Sequence, residues 1–239
     1  MSTLNGKVAL VTGASRGLGK GIVRALGGEG ASVMMTVRNN ERLATAAKEL
    51  VALGVDVLAE AADVAEAADV DCIFERLMSR FGRLDVLVNN AASFEGGPID
   101  ELSTEAWDHV IATNLRGPFL CTRASMRIMK RQGSGRIINI GSISAQRPRF
   151  ESAPYTTSKF GLTGLTHVTA LEGREHGITC GCLHPGNILV ERREDEEPEP
   201  MTSIKEIADV VRYMATLPPH VQMLESIVMP RDQLYLGRG

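Results

Sequence analysis

Tyr155 and Lys159 stand four positions apart, and Ser142 precedes the tyrosine by thirteen positions. A free phenol ionises near pH ~10, so it exchanges protons readily at neutral pH only when a nearby cation stabilises the phenolate. Positions i and i+4 share one face of a helix, which would hold the ammonium of Lys159 beside the phenol. The spacing therefore predicts proton transfer at a substrate oxygen. Ordinary amphipathic helices also carry such pairs, so this interpretation needs support from the rest of the chain.

Short runs rich in Val and Ile alternate along the chain with longer stretches of helical periodicity. This alternation is typical of βαβ units, so we predict an α/β fold with a doubly wound parallel sheet covered by helices on both faces. One helix should be capped by Asn40, and the helix that carries Tyr155 and Lys159 should run from Pro154 to about Glu175. The seven predicted strands are Lys7–Thr12, Ser32–Val37, Asp56–Ala61, Leu84–Asn89, Arg136–Ile140, Ile178–Leu183 and Leu224–Met229.

A glycine-rich turn directly follows the first predicted strand, and a helix with apolar periodicity follows the turn. Gly13 permits a tight turn, Gly17 lets the backbone approach a pyrophosphate, and Gly19 lets helix and strand pack closely. The N-terminus of the helix attracts the anion. The residues of this turn predicted to bind a dinucleotide are Gly13, Ser15, Arg16, Gly17, Leu18 and Gly19.

The end of the second predicted strand indicates which dinucleotide binds. An acidic residue there would bond a ribose 2′-hydroxyl, but Val37 occupies the expected position and Arg38 follows it. Arg38 and Arg16 could bracket a 2′-phosphate through charge-assisted hydrogen bonds, so we predict NADP(H) over NAD(H). The alternative is that both arginines are ordinary surface cations. After the third strand, Asp63 is expected to receive the adenine amino group, with Val64 beside it.

Six motifs then occur in one order over essentially the whole chain: the glycine turn, Asn89-Asn90-Ala91, Asn114, Ser142, Tyr155-x-x-x-Lys159 and Pro185-Gly186. This ordered set resembles the short-chain dehydrogenase/reductase family in its compact single-domain branch. The resemblance implies one Rossmann domain over residues 1–239 and hydride transfer between NADP(H) and a carbonyl or secondary alcohol.

The same resemblance assigns roles to the matching residues. Tyr155 would be the general acid and base at the substrate oxygen, and Ser142 would hydrogen-bond that oxygen. Lys159 would lower the pKa of the phenol and bind the nicotinamide ribose, and Asn114 would hold a water that relays protons. The cofactor channel would also be lined by Asn90, Ala91, Pro185, Gly186 and Ile188.

Two departures from the family pattern concern the cofactor. Val190 stands where the family often has a threonine that bonds the nicotinamide carboxamide, and Ala92 stands where glycine is usual. The charged segment within 187–203 is predicted to be a mobile substrate loop, with Arg192 and Arg193 near its start. Candidates for an apolar wall of the substrate pocket are Phe94, Ile143, Phe150 and Leu189.

Two other functions compete with this interpretation. One is a protein of the same fold that senses NADP or serves as a scaffold without turnover, although a scaffold need not keep all four catalytic residues. The other is a serine hydrolase built on Ser142 and His184, but the chain has Gly141-Ser142-Ile143-Ser144 in place of the Gly-x-Ser-x-Gly motif. We regard a packed or solvated histidine as the simpler interpretation of His184.

Composition narrows the remaining functions. The 239 residues are 44% hydrophobic with a net charge of −3, which favours one globular domain and gives no basic tract for nucleic acid. No signal-peptide pattern or membrane-length apolar run is present, so we predict a cytoplasmic protein without a membrane partner. The four cysteines form no Cys-x-x-Cys pair and no cluster with histidines, so we predict structural thiols and no metal site.

The resemblance also bears on partners. It implies a small-molecule carbonyl or alcohol substrate and a homodimer or homotetramer, with the helix from Pro154 packing against its mate. The C-terminal stretch 214–221, together with Val228-Met229-Pro230, resembles a subgroup of NADP-dependent dehydrogenases that act on 3-hydroxy acids such as serine. This likeness is confined to the tail, so the substrate stays open.

Overall fold

A computed structural model describes residues 3–189 and 199–235 of the chain. Its centre is a seven-stranded sheet in the order β3-β2-β1-β4-β5-β6-β7, and every paired neighbour is parallel. The strands are β1 Val8–Thr12, β2 Ser32–Val37, β3 Val57–Ala61, β4 Val86–Asn89, β5 Gly135–Ile140, β6 Ile178–Pro185 and β7 Glu225–Val228. The predicted doubly wound α/β fold and its seven strands are confirmed.

Seven α-helices connect the strands, and shorter turns of helix interrupt them. The helices are α1 Gly17–Gly28, α2 Asn40–Ala52, α3 Ala67–Phe81, α4 Thr104–Ile111, α5 Gly117–Gln132, α6 Ala153–Gly173 and α7 Ile204–Thr216. The shorter elements are a π-helical segment, Ala112–Arg116, and two 3₁₀ turns, Ile143–Ala145 and Arg174–His176. No helix of the described ranges is long and apolar enough to cross a membrane.

The helices cover the sheet from both sides because strand side chains alternate between its faces. In β1, Ala9 and Val11 join one buried cluster and Val8 and Leu10 join the other. The first cluster is closed by α1, α2 and α7, and the second by α3, α5 and α6. Each helix contributes residues at three- and four-residue steps, as Ile73 and Leu77 do in α3.

Several predicted boundaries shift by one or two residues, and three of the shifts have a clear local description. The predicted cap Asn40 is wrong by one residue: Asn39 has extended backbone and its side-chain oxygen accepts from the Arg42 amide at 2.9 Å, whereas Asn40 is already helical. β6 runs on to Pro185 because its last residues pair with β7. α6 ends at Gly173, two residues before the predicted Glu175, and a 3₁₀ turn follows it.

The direction in which strands are added reverses at β1. The chain adds β2 and β3 on one side of β1 and then crosses to the other side, where β4 pairs with β1. In open α/β sheets, ligands bind outside the carboxyl ends of the strands at such a switch point. The glycine turn, which follows β1, and Asn90, which follows β4, both lie at this point. Val190, Arg192 and Arg193 of the predicted loop lie outside the described residues.

Candidate active site

The glycine turn after β1 is packed so tightly that it excludes side chains. Gly13 has φ +66°, a conformation that favours glycine, and a Cβ there would lie 2.7 Å from the Cα of Ala91. A Cβ on Gly19 would lie 2.5 Å from the side-chain nitrogen of Asn90. The glycines of the turn and the first residues of α1 also line the cleft beside it, where a pyrophosphate would meet bare backbone and the N-terminus of a helix.

Asn90 and Thr12 hold this turn against the end of β4. The Asn90 amide nitrogen donates to the carbonyl oxygens of Thr12 and Gly13 at 2.9 and 3.0 Å. In return, the Thr12 hydroxyl accepts from the backbone amides of Asn90 and Ala91, both at 3.0 Å. Sequence reasoning placed Asn90 and Ala91 at the cofactor but missed Thr12, whose position as the last residue of β1 was its only signal.

A cleft of about 370 Å³ opens between this turn and the ends of β2 and β3. Arg38 and Asp63 face each other across it, with 3.8 Å between guanidinium and carboxylate, and a backbone amide, that of Ala65, holds the other oxygen of Asp63 at 3.0 Å. Arg42 and Asn39 also line the cleft and were not predicted. The predicted residues that line it are Gly13, Ser15, Arg16, Gly17, Leu18, Gly19, Arg38, Asp63, Val64, Asn90 and Ala91.

Tyr155 and Lys159 lie together on the first turns of α6. The Lys159 ammonium is 5.5 Å from the centre of the Tyr155 ring and donates to the backbone oxygen of Ile140, at the end of β5, at 2.8 Å. Lys159 is buried, whereas Tyr155 is partly exposed. Phe94 packs edge-on against the tyrosine, with 5.3 Å between ring centres. The helix thus presents a cation and a phenol to the same edge of the sheet.

Ser142 lies just after β5, in the turn against which α6 packs. Its hydroxyl oxygen accepts from the Ser144 amide at 3.1 Å. Its backbone oxygen accepts from the Ala145 amide at 2.9 Å and lies 3.0 Å from Nδ1 of His184. The histidine therefore contacts the backbone of Ser142 and not its hydroxyl, so the serine hydrolase alternative lacks its serine–histidine pair.

Asn114 lies in the π-helical segment between α4 and α5 and is buried. The prediction that it lies within a helix is confirmed, but the helix is widened there, a feature that often marks functional sites. Its side-chain oxygen accepts from the Ser93 amide at 2.7 Å, and its nitrogen donates to the Ser93 carbonyl at 2.9 Å and to the Ser158 hydroxyl at 3.2 Å. The amide group thereby ties the loop after β4 to α6.

The Pro185-Gly186 segment is not among the described residues that line the cleft. Gly186 donates to the Val228 oxygen at 2.8 Å and packs under Met229 and Gln233, so the C-terminal segment covers it. Ile188 forms a parallel bridge with Thr202, which joins the described ends of the predicted loop. Val190, and with it the departure from the usual threonine, lies outside the described residues.

The three buried cysteines lie in surroundings that do not make their thiols reactive. Burial raises the pKa of Cys121 and Cys182 to about 12 and also raises the pKa of Cys180, which keeps all three protonated. Within residues 3–189 and 199–235, no group of three or more His, Cys, Asp or Glu side chains could hold a metal ion.

Comparison with known proteins agrees with this geometry. The family model "short chain dehydrogenase" matches residues 7–200. A 3-oxoacyl-[acyl-carrier-protein] reductase from Synechocystis sp. is 36% identical over 228 residues, covering 91% of this chain and 92% of that protein. The chain belongs to the short-chain dehydrogenase family.

Two solved structures extend the similarity to the fold. A metagenomic short-chain oxidoreductase in complex with NADP has a TM-score of 0.86 and 37% identity, covering 96% of this chain and 99% of that one. A single-residue variant of the actinorhodin polyketide ketoreductase with NADPH has a TM-score of 0.89 and 32% identity, covering 98% and 100%. The chain therefore belongs to a family of oxidoreductases and has a Rossmann fold over its described length.

Proposed function

We propose that this protein is an NADP(H)-dependent reductase or dehydrogenase that interconverts a carbonyl group and a secondary alcohol. The observation that carries the proposal is the placement of Tyr155 and Lys159 on the face of α6 that meets the carboxyl edge of the sheet, with the Lys159 ammonium anchored on Ile140. Relatives that include a 3-oxoacyl-[acyl-carrier-protein] reductase and an NADPH-bound ketoreductase support it.

The cleft beside β1 fits a phosphorylated dinucleotide. Its glycine turn lines the cleft, and the N-terminus of α1 offers backbone amides to a pyrophosphate there. Arg38 and Arg42 line the end where a 2′-phosphate would be neutralised, and Asp63 is the carboxylate available to the adenine amino group. When bound, the nicotinamide cofactor supplies or accepts a hydride at the substrate carbon.

Tyr155 donates a proton to the substrate oxygen during reduction and takes it back during oxidation. The buried ammonium of Lys159 stabilises the phenolate form through the field it exerts at short range. Because its nitrogen is already held by Ile140, Lys159 keeps this position without help from substrate. Ser142 donates a hydrogen bond to the same substrate oxygen and stabilises the charge that develops there.

We assign the proton-relay water to the backbone of Asn114. Both donors of its side-chain amide are used by Ser93 and Ser158, and its side-chain oxygen already accepts from Ser93. We therefore place the water on the backbone carbonyl oxygen of the widened helical segment. Ser158 also donates to the backbone oxygen of Tyr155 at 2.6 Å, which ties Asn114 mechanically to the turn that holds the phenol.

The substrate class that the site supports best is a ketone or ketoacyl compound with an apolar group next to the carbonyl. Phe94, in contact with Tyr155, is 63% exposed, and Phe150 is fully exposed. The loops that carry them are joined, because the Gly97 amide donates to the Glu151 oxygen at 2.9 Å. An exposed aromatic side chain beside the reacting tyrosine, as Phe94 is, provides a wall for an apolar substituent.

The test is a screen of the purified protein with NADPH against ketones, β-ketoacyl thioesters, ketoacids and aldehydes. We expect turnover of ketones or ketoacyl thioesters and a loss of at least ~10²-fold in kcat for Tyr155→Phe, with NADPH affinity within about threefold of wild type. Tyr213→Phe, on α7, is the matched control. NADPH binding without turnover in any class would support the sensor or scaffold alternative, and full activity of Tyr155→Phe would end the proposed mechanism.

A further inference from the structure

A buried histidine next to the reacting serine has a role that the mechanism above does not use. His184 lies near the end of β6 with a side chain that is 0% exposed. Its ring packs directly under Gly141, where an added Cβ would lie 2.5 Å from Nδ1 and 2.9 Å from Cε1. The turn that presents Ser142 therefore rests on an imidazole ring, and only a glycine at position 141 permits this contact.

The hydrogen bonds fix which ring nitrogen carries the proton. Nδ1 lies 3.0 Å from the backbone oxygen of Ser142, and a carbonyl oxygen can only accept, so Nδ1 is the donor. Nε2 has no hydrogen-bond partner among the described residues, and a Glu225 oxygen lies 3.5 Å from it. The ring is thus held by Ser142 on one side and left with a lone pair on the other.

Burial is the main reason that the ring stays neutral. Burial lowers the pKa of His184, and the ammonium of Lys159 acts in the same direction, while the Ser142 carbonyl and Glu225 oppose them. The other oxygen of Glu225 lies 2.7 Å from Nε2 of His167 on α6, which directs part of the carboxylate away from His184. Cys182, the remaining titratable neighbour on β6, has a raised pKa and stays a thiol.

We propose that His184 is a positioning residue for Ser142: its Nδ1–H and the packing of its ring against Gly141 hold the Gly141–Ser142 turn so that the serine hydroxyl points at the substrate oxygen. The inference rests on the proposed function, in which Ser142 stabilises the charge on that oxygen. Misplacement of a hydrogen-bond donor by about 1 Å can cost ~10²-fold in rate. The histidine touches neither substrate nor cofactor and acts only through the serine.

Two neutral amides at position 184 separate this role from simple packing. Asn can place its NH₂ near the position of Nδ1 and keep the bond to Ser142, whereas the amide of Gln is one carbon further out, near Nε2. We expect kcat for His184→Asn within about fivefold of wild type and kcat for His184→Gln lower by ~10- to 100-fold, with the KM for NADPH unchanged in both. Equal losses in the two variants would overturn the proposal.

A double-mutant cycle with Ser142→Ala asks whether the effect passes through the serine. If it does, His184→Gln lowers kcat in the wild-type background and has less than about a threefold effect when Ser142 is already absent. A full loss on top of Ser142→Ala contradicts the inference. Failure of the proposed function looks different, because wild-type protein would then show no turnover at all.

One measurement uses the wild-type protein, so it can be made even if the variants fail to fold. In ¹⁵N-histidine-labelled protein, NMR reads the tautomer of each ring from its two nitrogen shifts. The signals of His184 are told apart from those of His109, His167, His176 and His220 by through-space contacts with Gly141, against which its ring packs. We expect a neutral ring with the proton on Nδ1. A neutral ring with the proton on Nε2, which cannot donate to Ser142, overturns the proposal.

Discussion

At the scale of single residues, Arg38 and Asp63 place opposite charges close together in the cofactor pocket before a ligand binds. The guanidinium is 57% exposed and lies 3.8 Å from the carboxylate, too far for a hydrogen bond. The side chain can therefore turn towards a 2′-phosphate at little cost. Arg42, in the first turn of α2, lines the same cleft, and the N-terminus of that helix adds its partial positive charge.

We predict that Arg38→Ala weakens NADPH binding by about 10- to 100-fold and leaves NADH binding within about threefold, because a charge-assisted bond to the 2′-phosphate is lost. Arg42→Ala should give a smaller change in the same direction. Both affinities can be measured by fluorescence titration. Arg76→Ala is the matched control, since Arg76 is similarly exposed and pairs with Glu60 on β3; equal losses of NADPH and NADH affinity in Arg38→Ala would contradict the assignment.

At the scale of elements, α6 has one side buried in the protein and an opposite side that is exposed. Its buried side carries Lys159, Leu162, Thr166 and Ala170, and the proposed catalytic pair, Tyr155 and Lys159, lies at the start of that side. The opposite side carries Phe160, Val168 and Leu171, which are 48%, 53% and 62% exposed. Phe119 on the neighbouring α5 adds to this apolar face. We propose that a second copy of the chain covers this face, as the expected homo-oligomer would require.

We expect the double substitution Val168→Glu and Leu171→Glu to shift the protein to a monomer, because the added acidic groups of both copies would face each other across a two-fold interface. Light scattering coupled to gel filtration measures the mass directly. Leu53→Glu is the matched control, since Leu53 is 58% exposed at the end of α2. A wild-type protein that is already monomeric, or a double variant with unchanged mass, contradicts this interface.

The elements also show which features can be predicted from the sequence and which cannot. Strands and helix periodicity, and the shared face of Tyr155 and Lys159, follow from spacing, because each depends on residues close in the chain. The widened helix at Asn114 does not, since it depends on Ser93 and Ser158, which are distant in sequence. The same holds for His184, whose alternation in β6 fixes only which side of the sheet it faces and not its bond to Ser142.

At the scale of the whole molecule, the two ends of the parallel strands differ in role. The edge formed by their carboxyl ends holds the candidate active site, and the opposite edge contributes to stability. The carboxyl edge carries the glycine turn and the residues of the proposed active site, whereas buried charged groups connect the chain at the opposite edge. Arg136, at the start of β5, donates to the backbone oxygens of Leu217, Pro218 and Val221. Burial lowers the pKa of this guanidinium, though it stays charged at neutral pH.

Asp85, just before β4, is the centre of the opposite edge. Its carboxylate accepts from the Val8 amide at 2.9 Å, from Lys7 at 3.0 Å and from two nitrogens of Arg83 at 2.7 and 2.6 Å. Burial alone would raise the pKa of Asp85, but the hydrogen bonds from Arg83, Val8 and Lys7 outweigh it and hold the pKa below its ordinary value. The ionised carboxylate thus joins the start of β1 to the start of β4.

The lowered pKa of Asp85 determines whether the stability of the protein rises or falls with pH. Because the unfolded chain binds a proton at Asp85 more readily than the folded protein does, this contribution to stability is complete above the ordinary Asp value of 3.8 and is lost as the pH falls through the folded value. We expect Asp85→Asn to lower the free energy of unfolding by about 1–3 kcal/mol at pH 7. The deficit should shrink as the pH falls below about 4, measured by urea unfolding at each pH. Asp56→Asn, at a half-exposed carboxylate near Arg80, is the control and should cost less; a deficit at Asp85 that grows towards acid pH contradicts the argument.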